Sequence, residues 1–531
     1  MAKRATTSHI AGIELDRAAD MALHEQIDRA FRRAILEGRL AGGSRIPSSR
    51  ALAEQLGVSR LTVVSAFEQL IAEGYLESRV GSGTRVTPAL PRERFKDQHP
   101  GGRKPIGEGQ PRAIRLSRRG TAIAAFTPRR GPQHGAARPF RLGAPALDAF
   151  PYAEWIRIST ACRRRIGHEF LGYGDPGGYR PLREAIAAYL GPARGVRCTA
   201  ENVVILSGAQ QGFGVALRLL TDPGDSVWVE DPGYAGARGA TFAAGVRPTL
   251  IPVDGEGLTL NRKAESPAPR LAFVTPSHQF PLGMTMSLAR RLALLEWAGQ
   301  VGAMIVEDDY GSEYRYTGRP LAALQGLDAQ DRVIYMGTFS KVLFPALRLA
   351  YAVLPARLVD AFAAVKGILD GHATLLEQAT VAEFIAAGYF ARHIARMRAL
   401  YRERQEALLE AARRRLGGLL DVRPTATGMH LVAWLPPHHD DRVVARAAAE
   451  VGIEVAPLSS FRVEASGPPG LILGFASSSP PAIETATAAL AALFDENGKT
   501  MRARSRHASP RRAAGSPARC RPLRPETRRP Y

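Results

Sequence analysis

The sequence predicts an α/β protein in two parts, a small helical head closed by a β-hairpin and a large domain on a mainly parallel sheet. Three observations predict it. The 531 residues, 45% of them hydrophobic, are more than one compact core usually holds. Residues 22–87 show helical spacing followed by two short runs around a glycine turn. From about Phe140 to Asn497, strand-like runs alternate with helical ones, as crossover connections between parallel strands require.

In the head, apolar residues recur at helical spacing from Leu23 to Leu36 (Leu23, Ile27, Ala30, Phe31, Ala34, Ile35), and Gly38 stops the run. Pro47-Ser48-Ser49-Arg50 opens a second helix with Leu52, Ala53 and Leu56 on one face, ended by Gly57. Ser59 stands where an N-cap is needed, and Val63, Ala66, Phe67, Leu70 and Ile71 form the buried stripe of a third helix. Tyr75–Ser78 and Thr84–Val86 then flank Gly81-Ser82-Gly83 as a hairpin would. Two helices joined by a glycine turn and followed by a hairpin make a winged helix-turn-helix, which places Ser59, Arg60 and Thr62 to enter a major groove. Arg45 and Arg50 suit the flanking phosphates, and Ser48, Gly81 and Gly83 complete the candidate DNA-contacting set.

The formal charge of +21 is concentrated in two stretches. Residues 88–141 hold 13 Lys/Arg against 3 Asp/Glu, residues 499–531 hold 11 against 1, and the rest is close to neutral. Both stretches are rich in Pro, Gly, Ala and Ser, so a basic flexible linker at 88–139 and a basic disordered tail at 498–531 are expected. Their charge describes tethers and does not by itself indicate DNA binding. Cys162, Cys198 and Cys520 lack paired spacing, which argues against a disulfide framework or a metal site. No apolar run is long enough for a membrane span, and the N-terminus lacks a secretory core; a cytoplasmic protein is expected.

In the large domain the runs Val203–Leu206, Val227–Glu230, Leu271–Val274, Met304–Val306 and Val333–Met336 read as strands, and ligand groups in such folds gather beyond strand carboxyl ends. Ser207-Gly208-Ala209-Gln210 follows the first and leads a helix, so its amides can face a phosphate. Glu307-Asp308-Asp309-Tyr310 brings acids and a phenol to another strand end. Pyridoxal phosphate needs a carboxylate against its pyridine nitrogen and accepts a phenol at its ring oxygen, roles that fit Asp308 and Tyr310. Gly337-Thr338-Phe339-Ser340-Lys341 offers a lysine for a Schiff base, and Arg348 offers a phosphate fork.

Taken in order, P-S-S-R, L-A-E-Q-L-G-V-S-R, G-Y-L and G-S-G-T resemble the GntR-type winged helix across 22–87. Y-G-D-P-G-G-Y, S-G-A-Q, E-D-P-G-Y, P-S-H-Q-F-P-L-G, E-D-D-Y and G-T-F-S-K resemble the fold type I pyridoxal-phosphate aminotransferases across 140–497. Joined, the two parts resemble the MocR family of chimeric regulators, which includes the GabR type. That resemblance implies a Schiff base at Lys341, Asp308 on the pyridine nitrogen, Tyr310 on the ring oxygen and Tyr234 stacked on the ring. It assigns the phosphate to Gly208, Ala209, Gln210, Thr338, Ser340 and Arg348, with Tyr173 arriving from the partner of a homodimer. His278 or Gln279 would line the ring's other polar edge. The implied function is a pyridoxal-phosphate-dependent transcription regulator that binds a double-stranded operator and senses a small amine or amino compound.

One departure bears on the effector. Such aminotransferases place a carboxylate-binding arginine in a late strand, and Leu471-Ile472-Leu473-Gly474-Phe475-Ala476 puts Ile472 at that position. Either another arginine, such as Arg462 or Arg238, takes over, or the effector is not an ordinary α-amino acid. An active aminotransferase with a regulatory head is the alternative reading, and a large domain reduced to a scaffold is a third that intact Lys341, Asp308 and Tyr310 oppose.

Overall fold

The structure is a computed structural model that describes residues 13–79, 83–88, 115–126, 138–165, 167–260, 268–318, 321–464 and 466–504. The chain divides into two compact units, Met1–Arg115 and Leu116–Tyr531.

The first unit contains helices α1 (Leu23–Leu36), α2 (Ser49–Leu56) and α3 (Arg60–Ala72), then strands β1 (Leu76–Arg79) and β2 (Gly83–Val86). Side-chain hydroxyls start two of the helices: Ser48 accepts from the Ala51 amide and Ser59 from the Thr62 amide. Gly57 adopts φ 61°, the left-handed cap that lets the chain turn directly from α2 into α3. Phe31 and Phe67 meet edge to face at 5.5 Å in a core of Ile27, Leu52, Val63, Ala66 and Leu70. The hairpin pairs Leu76 with Val86 and Arg79 with Gly83. The folded head begins before the expected boundary at residue 22: Ile13 and Leu15 pack on this core, and Arg17 donates to the Gly57 carbonyl at 2.8 Å.

The second unit opens with α4 (Arg118–Phe126), α5 (Tyr152–Arg165) and α6 (Arg180–Arg194). It continues as β3 (Val203–Leu206), α7 (Ala209–Leu220), β4 (Ser226–Asp231), α8 (Ala235–Ala244), β5 (Arg247–Asp254), β6 (Gly257–Leu258), β7 (Leu271–Val274), α9 (Leu288–Val301), β8 (Met304–Asp309), α10 (Leu324–Leu327), β9 (Val333–Thr338), α11 (Phe339–Val342) and β10 (Ala350–Val353). These strands form one sheet in the order β3-β10-β9-β8-β7-β4-β5-β6. The run β9-β8-β7-β4-β5 is parallel, and β10 lies antiparallel to both β9 and β3, so β3 points the same way as the parallel run. Strand alternation splits the core: Val204 and Leu206 face one apolar layer, Val203 and Ile205 the other.

Next come α12 (Val359–Asp370), α13 (Leu375–Ala386), α14 (Tyr389–Arg415), β11 (Asp421–Val422), β12 (His430–Trp434), α15 (Asp441–Glu450), β13 (Ala456–Pro457), β14 (Gly470–Gly474) and α16 (Pro480–Arg504). The four short strands pair antiparallel as β11-β12-β14-β13, beside a core shared by α14 and α16. The chain enters this part through Phe140, whose carbonyl accepts from the Gly474 amide at 2.9 Å.

Two expectations about the basic stretches are corrected. Within 88–139, which composition marks as flexible, α4 is a folded helix held against α8: Phe126 meets Phe242 edge to face at 5.3 Å, and the Arg238 guanidinium lies 5.9 Å from the Phe126 ring. Seven residues of the supposed tail belong to α16, because helical backbone continues beyond 497 to Arg504; residues 505–531 lie outside the described residues, as do 89–114 and 127–137. No helix among the described residues is long and apolar enough to cross a membrane.

If Phe126 pins α4, Phe126→Ala should loosen the helical backbone around the exposed Arg118 and Arg119 and speed tryptic cleavage there severalfold. Unfolding of the large domain should change by less than about 1 kcal/mol, since Phe126 is only half-buried. An unchanged digestion rate would show that α4 holds without its aromatic contact.

Candidate cofactor cleft and DNA-contacting surface

Parallel strands end together, so residues distant in sequence meet at the carboxyl edge of the large sheet. Asp308 and Asp309 pair in register with Met336 and Gly337, which sets the end of β8 beside the β9–α11 turn carrying Lys341. Gly208 lies between β3 and α7, Tyr234 caps α8 just after β4, and His278 follows β7.

Three consecutive acids at the end of β8 take three roles. Glu307 accepts from the Leu324 and Gln325 amides at 2.9 and 3.0 Å, capping α10. Asp309 pairs with the buried Arg194 at 2.9 Å and accepts from Tyr335 and Ser312 at 2.8 Å each. Asp308, on the opposite side of the strand, is half-buried and accepts no hydrogen bond among the described residues. Burial, then Asp309 and Glu230, push its carboxyl up to about 7, while Lys341 opposes them.

Glu230, at the end of β4, was missed in the sequence although it sits in E-D-P-G-Y. It accepts from the Thr275 hydroxyl at 2.6 Å and from Gln279 at 3.2 Å, and burial raises it to about 7. Gln279 is also engaged with the Pro232 and Phe280 carbonyls, so its amide is consumed in holding its own loop. His278 is different. It is 2% exposed, and neither ring nitrogen meets a partner at bonding geometry. Its ring stands 5.7 Å from Tyr310 and 4.9 Å from His430, and the Tyr310 hydroxyl is likewise buried without a partner. Burial holds His278 well below its ordinary value and His430 down to about 4.

The Lys341 amine donates to the Gly143 carbonyl at 2.8 Å. Gly143 has φ 69°, and a Cβ there would stand 2.8 Å from the amine, a second requirement for glycine unseen in the sequence. At the other end, a Cβ on Gly208 would lie 2.8 Å from an Arg348 nitrogen, so the guanidinium is set over the open start of α7. Thr338 accepts from the Ser340 amide at 3.2 Å, and Gln210 donates to the Gly236 carbonyl at 2.9 Å. Tyr234 meets Phe213 and Phe280 edge to face. Ser207 donates to Asp370 at 3.1 Å, and Asp370 is paired with the wholly buried Lys366 at 3.1 Å. Tyr173 does not join this group within its own chain: it is 99% exposed, its ring 6.3 Å from His372.

Ile472 is wholly buried in an apolar cluster with Val432 and Leu458, packed by Leu142, Leu282 and Phe461. Arg462 and Arg238 each donate to a backbone carbonyl, of Gly467 and Phe461.

In the head, Arg45 is exposed and lies over the wing, with its guanidinium 3.3 Å from where a Cβ on Gly83 would be. Arg50 and Arg60 are exposed, and Arg60 reaches the Ser49 hydroxyl at 3.4 Å. The Ser48 and Ser59 hydroxyls cap α2 and α3, and the Thr62 hydroxyl meets that of Ser59 at 2.8 Å. Gly81 lies outside the described residues. No group of side chains suited to a metal ion occurs among the described residues.

A DNA-binding head and a sheet edge of aminotransferase geometry in one chain define a chimeric transcription regulator. Comparisons agree. Residues 23–86 match the family described as bacterial regulatory proteins, gntR family, and residues 145–490 match aminotransferase class I and II. The probable rhizopine catabolism regulatory protein MocR of Rhizobium meliloti is 42% identical over 480 residues, 90% of this chain and 95% of that protein. The pyridoxine biosynthesis regulator PdxR of Corynebacterium glutamicum is 32% identical, covering 85% and 91%. Kynurenine aminotransferase of Pyrococcus horikoshii, solved in complex with PMP, superposes with a TM-score of 0.63 at 26% identity, over 72% of this chain and 96% of that one. The chain belongs to the MocR-type branch of GntR-family transcription regulators, and its large domain has the fold type I aminotransferase architecture that implies pyridoxal phosphate.

His430 yields a pH prediction. Its folded value, about 4, lies below the ordinary 6.5, so its contribution to stability is complete above pH 6.5 and is lost as pH falls toward 4. In His430→Gln that loss disappears. Unfolding free energies from urea titrations should therefore shift in the variant's favour, relative to the parent, by roughly 1.4 kcal/mol per pH unit over that interval.

Proposed function

We propose that this regulator binds an operator through its head and senses a small amine or amino compound at Lys341. The observation that carries the reading is the meeting of the Lys341 amine, the Asp308 carboxyl and unpartnered Tyr310 and His278 at one sheet edge, in a chain with a GntR head.

The residues fit pyridoxal phosphate. Buried polar atoms without partners are costly, and Tyr310 and His278 supply three of them where a polar ring edge would be received. Gly208, whose Cβ would crowd Arg348, keeps the start of α7 open to a phosphate. When bound, the group supplies an aldehyde open to amines and an electron-withdrawing ring. Lys341 would hold the aldehyde carbon and Asp308 the ring nitrogen. Tyr310 would donate to the ring oxygen, His278 would line the same edge, and Tyr234 would cover a ring face. The Ala209 and Gln210 amides, Thr338, Ser340 and Arg348 would hold the phosphate, with Tyr173 contributed across a homodimer. Asp308, near its ionisation midpoint at neutral pH, is suited to share a proton with a basic nitrogen.

With an effector amine in its place, Lys341 would be free to donate to the Gly143 carbonyl, as it does here. Gly143 belongs to the entry segment that Phe140 stitches to β14. Occupancy can move operator affinity only through a difference in free energy between arrangements of this kind. The apolar setting of Ile472 provides no charge for an α-carboxylate, which supports an effector other than an ordinary α-amino acid.

Purified protein supplied with cofactor should show a visible absorbance band that borohydride fixes covalently to Lys341 and that Lys341→Ala lacks. Amines that shift this band should also change operator affinity; equal affinity whatever occupies Lys341 would overturn sensing, and sustained turnover of an amino donor with a keto acid would favour the enzyme reading. Arg60→Ala should weaken operator binding by about 1–3 kcal/mol while leaving the band unchanged. Equal weakening on every duplex would reassign Arg60 to a phosphate.

A further inference from the structure

Among the described residues of the head, the large apolar side chains that stand exposed are Leu61 and Ile71, the others being buried or partly buried. Ile71, near the end of α3, is at the margin of exposure, at 37%, whereas Leu61 is 76% exposed in the first turn. At 3.6 residues per turn, Leu61 points roughly opposite to the stripe of Val63, Ala66, Phe67 and Leu70 that faces the core. It therefore contributes nothing to packing in the head, and its exposure is an unfavourable feature of the free protein.

Its surroundings say what covers it. Ser59 and Thr62, the polar side chains that flank the Arg60-Leu61 pair, turn their hydroxyls to each other, and that of Ser59 also accepts from the Thr62 amide. Within the first turn of α3 the exposed side chains are Arg60 and Leu61, and Ser65 follows one turn on. Arg60 rests on Ser49, at the start of α2, and Arg50 is exposed one residue further on, so the leucine stands beside two cations and two helix N-termini. That charge fits a polyanion. A lone leucine without an apolar patch around it is too small for a protein interface, which needs a contiguous buried core. In a major groove, the one apolar group on any base edge is the thymine C5-methyl.

We infer that Leu61 is a specificity-determining residue that reads a thymine methyl in the operator. The inference rests on the operator-binding reading above and deepens it. It predicts discrimination of thymine from cytosine at one position per half-site, made by a methyl contact and distinct from any hydrogen bond of Arg60. The same pocket would accept 5-methylcytosine, whose methyl occupies the equivalent place on the base.

The test uses the full-length protein and a duplex selected from random sequence. Each thymine is replaced singly by uracil, which removes the methyl and leaves the pairing edge unchanged. Parent protein should lose affinity about fourfold, the worth of one buried methyl, at one position per half-site. Leu61→Ala should bind the thymine and uracil duplexes equally there, and 5-methylcytosine at that position should bind the parent more tightly than cytosine does. Leu61→Thr, which keeps a methyl, should retain part of the discrimination. A uracil penalty that persists undiminished in Leu61→Ala would assign the methyl to another residue and overturn the inference, as would a parent indifferent to uracil at every position. Failure to select any sequence over scrambled DNA would instead overturn operator binding, and the inference with it.

Discussion

The candidate cleft depends on the buried pair between Arg194 and Asp309. Along β8, side chains alternate sides, so anchoring Asp309 with Arg194, Tyr335 and Ser312 fixes where its neighbours point. Glu307, two residues back, falls on the same side and caps α10. Asp308 is thereby turned to the other side, toward Lys341. A slip of one residue would bury Asp308 against Arg194 and present Asp309 to the cleft. Because breaking one partner of such a buried pair costs about 3–5 kcal/mol, the register is set firmly. Glu230 then lies near enough to raise the proton affinity of Asp308, and Lys341 supplies the opposing charge.

The fold was legible wherever a local pattern carries tertiary information. The strands at Val203–Leu206 and Leu271–Val274 agree residue for residue with the apolar runs, because strands covered on both faces read as unbroken apolar segments. α1 was equally plain, its stripe unbroken and its stop a glycine. What failed was inference from composition. α4 has a basic, alanine-rich sequence with no buried residue of its own, and it is ordered by one phenylalanine meeting α8 more than a hundred residues away. Ile13 and Leu15 give no local signal for a similar reason: two apolar residues do not make a period.

Within the cleft, the sequence exposed residues whose chemistry is unusual and concealed those whose conformation is. Lys341, Asp308 and Tyr310 stand out as charged or phenolic groups at strand ends. Gly143 looks like any linker glycine, and only the fold shows that its left-handed backbone and missing Cβ make room for the lysine amine. Gln279 shows the converse. As a polar residue in a motif it seemed a candidate for the ring edge, yet its amide is spent on Glu230 and two carbonyls, and the adjacent His278 is the one left without partners.

The head follows the same logic. Ser48, Ser59 and Thr62 were candidates for DNA because hydroxyls hydrogen-bond bases and phosphates, but a helix start leaves amide hydrogens that need acceptors whether or not DNA is present. The Ser48 and Ser59 hydroxyls meet that need, and the Thr62 hydroxyl shares a contact with that of Ser59. A capping hydroxyl can still donate its own hydrogen to DNA from where it stands, but turning away to reach a more distant base breaks a cap worth about 1 kcal/mol. Side chains with no capping duty in the free head bear no such cost. Arg45, Arg50, Arg60 and Leu61 are of that kind, exposed and placed at the wing or at helix starts. Selectivity is therefore expected to reside in residues the fold leaves unused, with the capping hydroxyls fixing the angle at which α3 is offered.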